Sequence, residues 1–103
     1  MSVSTHVLHT GLGRPVPMVQ VDLQASTGGG WEPVAGGRTD DDGRIAVLSD
    51  DVRAGVYRLV FDTRWLAGFY PEVVITFEIA EPGEHYHVPL LLSPYGYTTY
   101  RGS

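Results

Sequence analysis

The sequence contains no cysteine and no lysine. Without cysteine there are no disulfides, no thiolate nucleophile and no thiolate ligands for zinc, so chemistry must come from His, Ser, Tyr, Asp, Glu or Arg. The cations are all arginines: Arg14, Arg38, Arg44, Arg53, Arg58, Arg64 and Arg101, scattered rather than bunched. The formal net charge of −5 and the pI near 5.1 oppose the polyanionic surface of nucleic acid, so no nucleic-acid partner is expected. No apolar run is long enough to span a bilayer and no charged-then-apolar leader opens the chain. The expected compartment is the cytoplasm, with no membrane partner.

What is present is a chain of 103 residues, 43% hydrophobic and 18% charged, with 13 glycines and 7 prolines gathered between short apolar runs. That length holds one domain, residues 1–103, and the punctuation is that of many short strands joined by turns. An all-β fold is expected. Val73, Ile75, Phe77 and Ile79 alternate with Thr76 and Glu78 as a half-buried strand does. Val19, Val21 and Leu23 do the same, as do Tyr57, Leu59 and Phe61. Ser2 to Thr10, Trp31 to Ala35, Arg44 to Leu48, His85 to Leu92 and Tyr97 to Arg101 are strand-like by β-branched and aromatic content. About eight strands result, the number of a two-sheet sandwich. Thr63 to Gly68 has room for one or two helical turns before Tyr70-Pro71 ends them.

With four histidines in so small a chain, imidazole is the natural place to look for function. Alternation puts His6, Leu8 and Thr10 on one face of the first strand, with Thr5, Val7 and His9 on the other. The same rule puts His85, His87, Pro89 and Leu91 opposite Tyr86, Val88, Leu90 and Leu92, which are the apolar core set. His87 therefore points outward amid apolar neighbours, a mixture suited to an interface or pocket; the plain alternative is a set of solvated strand histidines. His85 and His87 are also a same-face metal pair in need of a third ligand, for which His6 is the candidate. No organised carboxylate partner supports that, and no metal or other cofactor is expected. Asp40-Asp41-Asp42-Gly43-Arg44 lacks the alternate carboxylates of a calcium loop and reads as a tight turn with Gly43 at positive φ. Arg44 would then start the next strand in a fixed direction. No Gly-x-Ser-x-Gly elbow surrounds any serine, and Gly28-Gly29-Gly30 lacks the lysine of a phosphate loop.

Ser4-Thr5-His6-Val7-Leu8, Gly37-Arg38-Thr39 with Asp42-Gly43-Arg44, Phe69-Tyr70-Pro71-Glu72-Val73, and the run from His85 to Ser103 closing on Tyr100-Arg101-Gly102-Ser103 follow one another in this order. On these motifs the chain resembles the 5-hydroxyisourate hydrolase family along its whole length. Trp31-Glu32-Pro33 and Leu92-Ser93-Pro94-Tyr95 are shared with transthyretin, a hormone carrier on the same fold, and speak for fold rather than activity. The resemblance implies a transthyretin-like sandwich of two four-stranded sheets with one short helix, assembled as a homotetramer, a dimer of dimers, with its sites at the dimer-dimer interface. It implies metal-independent hydrolysis of 5-hydroxyisourate, a cyclic amide, to 2-oxo-4-hydroxy-4-carboxy-5-ureidoimidazoline in urate breakdown. The residues carried over are His6, Arg44, His87 and Ser103 as catalytic groups, with Leu8, Leu91 and Tyr100 lining the substrate. Ser103 is expected to be the native C-terminus. His9 stands where the family usually has Asp or Asn. A transthyretin-like carrier of a small ligand, without catalysis, is the alternative reading. The residues do not say which histidine is the base.

Overall fold

The computed structural model describes residues 2–66 and 68–102. In chain order the strands are β1 (Ser2–His9), β2 (Arg14–Pro15), β3 (Gln20–Ser26), β4 (Trp31–Arg38), β5 (Arg44–Ser49), β6 (Gly55–Asp62), β7 (Glu72–Ile79), β8 (His85–His87), β9 (Leu90–Leu92) and β10 (Tyr97–Thr99). They form two sheets. One runs β4-β3-β6-β7, all antiparallel; the other runs β10-β9-β1-β2, with β5 and β8 also paired to β1.

The second sheet holds six strand segments where four were expected. The segment from His85 to Leu92 is a single strand in sequence but breaks at Val88-Pro89 into β8 and β9. Proline has no N–H to give to a ladder. The carbonyls at the break are taken by side chains instead: Thr5 Oγ1 donates to Val88 O at 2.6 Å and Thr99 Oγ1 to Pro89 O at 2.8 Å. The two-residue β2 is the other addition.

No helix forms among the described residues, so the short helix expected over Thr63 to Gly68 is corrected to a turn. Among the described residues a turn bond is made there, Leu66 N to Thr63 O at 3.0 Å. Thr63 is instead tied across the loop, its N–H to Pro71 O at 3.2 Å and its hydroxyl to Tyr70 O at 2.5 Å. Those bonds close the loop and leave too few residues for a helix to nucleate.

The alternating strands bury the faces their sequence assigns. Val21, Leu23, Leu59, Phe61, Val73 and Ile79 meet Val3, Val7, Tyr86, Leu90 and Leu92 between the sheets. Each large aliphatic or aromatic side chain so removed from water contributes roughly 1.5–3 kcal/mol. Thr39, buried at the mouth of the β4–β5 turn, accepts from Val19 N at 2.9 Å and donates to Val16 O at 2.7 Å, which meets the rule that buried polar groups be bonded.

The turn before β5 decides where Arg44 emerges. Asp40 Oδ1 accepts from the N–H groups of Asp42 and Arg44, each at 2.9 Å, and Gly43 takes φ of 73°. Gly43 lies so close to β1 that its carbonyl accepts from Val7 N at 2.7 Å, and a Cβ there would fall 2.5 Å from Val7 O. Both the backbone angle and the space require glycine. Gly43→Ala is therefore expected to cost at least about 2 kcal/mol, read as a lowered urea midpoint. Gly83→Ala, where a Cβ meets nothing within 4 Å, should stay within about 0.5 kcal/mol of the parent. Equal midpoints for the two variants would refute the constraint.

Candidate active site

β1 runs between β5 on one edge and β8 on the other. His6 is the register partner of Arg44 across the antiparallel β1–β5 pair, and Ser4 is the partner of His87 across the parallel β1–β8 pair. Ser4 and His6 are two apart on one strand and so share its outward face. Three adjacent strands thus present Arg44, Ser4 with His6, and His87 side by side. Ser4, Arg44, Ala46, His85 and His87 line a solvent-open depression of about 280 Å³. A larger depression of about 470 Å³ lies elsewhere, among Gln20, Asp22, Asp62, Arg64 and Glu72. It contains no imidazole, whereas the smaller one has His85 and His87 beside Arg44.

The hydrogen bonds fix the imidazoles. His6 Nε2 lies 2.9 Å from the carbonyl oxygen of Asp42. A carbonyl only accepts, so Nε2 carries the proton and the neutral ring keeps its lone pair at Nδ1. His87 Nδ1 is bound to Ser4 Oγ at 2.7 Å, which leaves Nε2 for reactants. Ser4 Oγ also meets His85 Nε2 at 2.9 Å, and His85 Nδ1 in turn meets Ser2 Oγ. Burial, then the Arg44 guanidinium, then His6 and His85 hold the His87 pKa below its ordinary 6.5. At neutral pH His87 is a neutral imidazole next to a fixed cation, the state in which it can take a proton.

The C-terminal segment crosses this cluster. Gly102 bridges to His87, donating its N–H to His87 O at 2.8 Å. A Cβ on Gly102 would lie 2.4 Å from His87 Cδ2, so the glycine of the closing tetrapeptide lets the backbone pass flat against the ring. Leu8 and Leu91 are register partners on β1 and β9, half-buried on the outward side. Tyr100 is not with the histidines in the single chain: it lines a separate depression of about 250 Å³ with Phe77, Tyr86 and Val88. Ser103 lies outside the described residues. His9 is occupied locally, its Nδ1 accepting from Leu12 N at 3.1 Å to close the turn after β1.

A profile of the HIUase/Transthyretin family matches residues 3–102. The chain belongs to that family. Within the HIUase/Transthyretin family it is similar to a 5-hydroxyisourate hydrolase of Salmonella typhimurium, 45% identical over 98% of this chain and 80% of that one. A 5-hydroxyisourate hydrolase of Pseudomonas aeruginosa is 40% identical over 98% of this chain and 90% of its own length. Among solved structures, the 5-hydroxyisourate hydrolase of Klebsiella pneumoniae superimposes with a TM-score of 0.87 at 35% identity, all of both chains covered. A transthyretin from Sparus aurata gives 0.90 at 32% identity, covering 98% of this chain and 96% of that one. The hydrolase and the transthyretin therefore share one backbone with this chain, so the backbone by itself does not separate them.

Among the described residues, no three His, Cys, Asp or Glu side chains come together as a metal site. His85 and His87 share a face as alternation required, but a serine hydroxyl stands between their rings. The sequence reading gave Ser4 no role, although it lies two residues before His6 on the same face; the period-2 rule would have found it. The Asp42 carbonyl had no signal in sequence, because only the turn brings it over His6. The His87 titration, followed by ring proton NMR, should have its midpoint below 6.5. Because the folded value is the lower one, the unfolded chain binds this proton first as pH falls. The His87 contribution to stability is full above that ordinary value and is lost as pH drops through the folded midpoint. A midpoint above 6.5 would reverse the sign and remove the neutral-base reading.

Proposed function

We propose that the chain hydrolyses the ring amide of 5-hydroxyisourate, with His6, Arg44 and His87 as the reacting groups and no metal. The observation that carries the reading is the placement of a neutral His87 and the Arg44 guanidinium around one depression, with a lone-pair-bearing His6 on the strand between theirs, directly opposite Arg44. The named relatives support it. Water must lose a proton as it attacks the amide carbonyl, negative charge gathers on the carbonyl oxygen, and the ring nitrogen must gain a proton as the C–N bond breaks. Arg44, permanently charged, meets the oxyanion with its forked donors. His6 Nδ1 takes the proton from water and returns it to the leaving nitrogen. His87 Nε2 takes the proton shed when the product acid becomes a carboxylate. Leu8 and Leu91 give the substrate an apolar wall, and Tyr100 and Ser103 are assigned to closure of the site.

Tyr100 stands apart from the histidines within one chain, which fits a site completed by a second copy. We infer a homotetramer, a dimer of dimers, in which the outward face carrying His6, Leu8, His87 and Leu91 lines the interface between dimers and the reaction runs in the cytoplasm. The half-buried leucines beside polar groups support this, as do the transthyretin-like neighbours. A transthyretin-like carrier is the second reading. Structural likeness at 32% identity favours it, while a titratable, charged face on three strands is a poor lining for an apolar ligand.

Ultraviolet decay of freshly generated 5-hydroxyisourate should accelerate with the protein and be unchanged by a chelator. Arg44→Ala and His87→Ala should each lower turnover by ~100 to 1,000-fold while the far-ultraviolet spectrum is kept. A folded protein that leaves the decay rate untouched would instead support the carrier. Light scattering should give four times the chain mass of 11.2 kDa, and a monomer that still turns over would remove the interface site.

A further inference from the structure

Ser4 Oγ lies between two imidazole nitrogens, 2.7 Å from His87 Nδ1 and 2.9 Å from His85 Nε2, and Ser2 Oγ follows on His85 Nδ1. A hydroxyl has one proton to give. If Ser4 donates to His85, it must accept from His87 Nδ1–H, and His87 Nε2 then holds a lone pair toward the substrate. If Ser4 donates to His87, it accepts from His85 Nε2–H, and His87 Nε2 then carries a proton. One buried hydroxyl thus ties the tautomer of the reacting ring to that of a second ring that is itself exposed. Neither residue is used by the reaction as described above.

The reaction supplies a reason for such a chain. Water adds to the amide, the C–N bond breaks, and the products are a carboxylate, a ureide N–H and one free proton, since an amide nitrogen within a ureide does not hold a second proton at neutral pH. Each turnover therefore leaves one proton beside the Arg44 cation, at a depression the substrate fills.

Resting on the hydrolase reading, we propose that Ser4 and His85 are positioning residues that set the His87 tautomer and conduct the product proton from His87 to solvent. The proton enters at His87 Nε2. The His87 Nδ1 proton passes to Ser4 Oγ, the Ser4 hydroxyl proton passes to His85 Nε2, and His85 gives its Nδ1 proton by way of Ser2 to water. One proton enters and one leaves while product fills the site; once product has gone, His87 Nε2 gives its proton to entering water and the line runs back, His85 Nδ1 regaining a proton through Ser2, which restores the first pair of tautomers. The charged and titratable groups facing this line are Arg44 from β5, His6 from β1 and the two histidines of β8 themselves.

His85→Gln separates conduction from bonding, because an amide can still hydrogen-bond Ser4 but cannot take up a proton. In weak buffer at neutral pH this variant is expected to lower kcat roughly 10 to 100-fold, short of the ~100 to 10,000-fold that general acid–base catalysis contributes as a whole. KM should change less than about 2-fold, and added imidazole, a mobile proton carrier, should restore kcat. Ser4→Ala should show the same loss and, by ¹⁵N NMR without substrate, should move the His87 Nδ1 shift. A full kcat for His85→Gln in weak buffer, a loss that falls on KM, or a loss that imidazole does not restore would each overturn the relay. So would a His87 Nδ1 shift indifferent to Ser4→Ala in a protein that melts as the parent does. If wild type itself fails to hydrolyse the substrate, the function falls, while the NMR arm still decides whether the rings are coupled.

Discussion

β1 is held on both edges, antiparallel to β5 and β2 on one and parallel to β8 and β9 on the other. The first strand of the chain is thereby clamped inside a sheet whose other members come from the middle and the end of the sequence. Parallel pairing of this kind cannot be made by a hairpin; it needs the chain to travel through the whole opposite sheet first. That constraint orders everything else. Val3 and Val7, buried on the inward side of β1, set its height against the Phe61 and Leu59 layer, and the outward side is then fixed to within the pleat.

The same clamp makes the site rigid. Arg44 and His87 are far apart in sequence, yet each is opposite a β1 residue at a defined register. Functional groups on paired strands are held more tightly than groups on loops. Two local devices add to this. The Gly43 turn delivers Arg44 as the first residue of β5, and Gly102 lets the closing segment lie on the His87 ring. The His87 proton affinity follows from the same arrangement, because burial and the neighbouring guanidinium both act against its charged form.

Much of this was legible in the residues. The alternating runs of β3, β6 and β7 buried the faces their period assigned, and the inward set Tyr86, Val88, Leu90 and Leu92 was identified correctly. The positive φ at Gly43 was visible in the Asp-Gly turn. Less legible were features that depend on a partner strand. The break at Val88-Pro89 was hidden because Thr5 and Thr99, which satisfy it, are distant in sequence. The missing helix was hidden because Thr63 is captured across the loop by Tyr70 and Pro71, a competition local propensity does not report.

The sequence by itself determined the class of the fold, the inward and outward sides of the regularly alternating strands, the absence of thiol chemistry and the residue types open to catalysis. Those follow from composition and from a period of two, which are properties of a chain before it folds. Tertiary structure alone decided that Ser4 would stand between His85 and His87, that the Asp42 carbonyl would fix the His6 tautomer, and that Tyr100 would lie apart from them. Such placements are set by strand register and turn closure, and register is an agreement between segments that no single segment encodes.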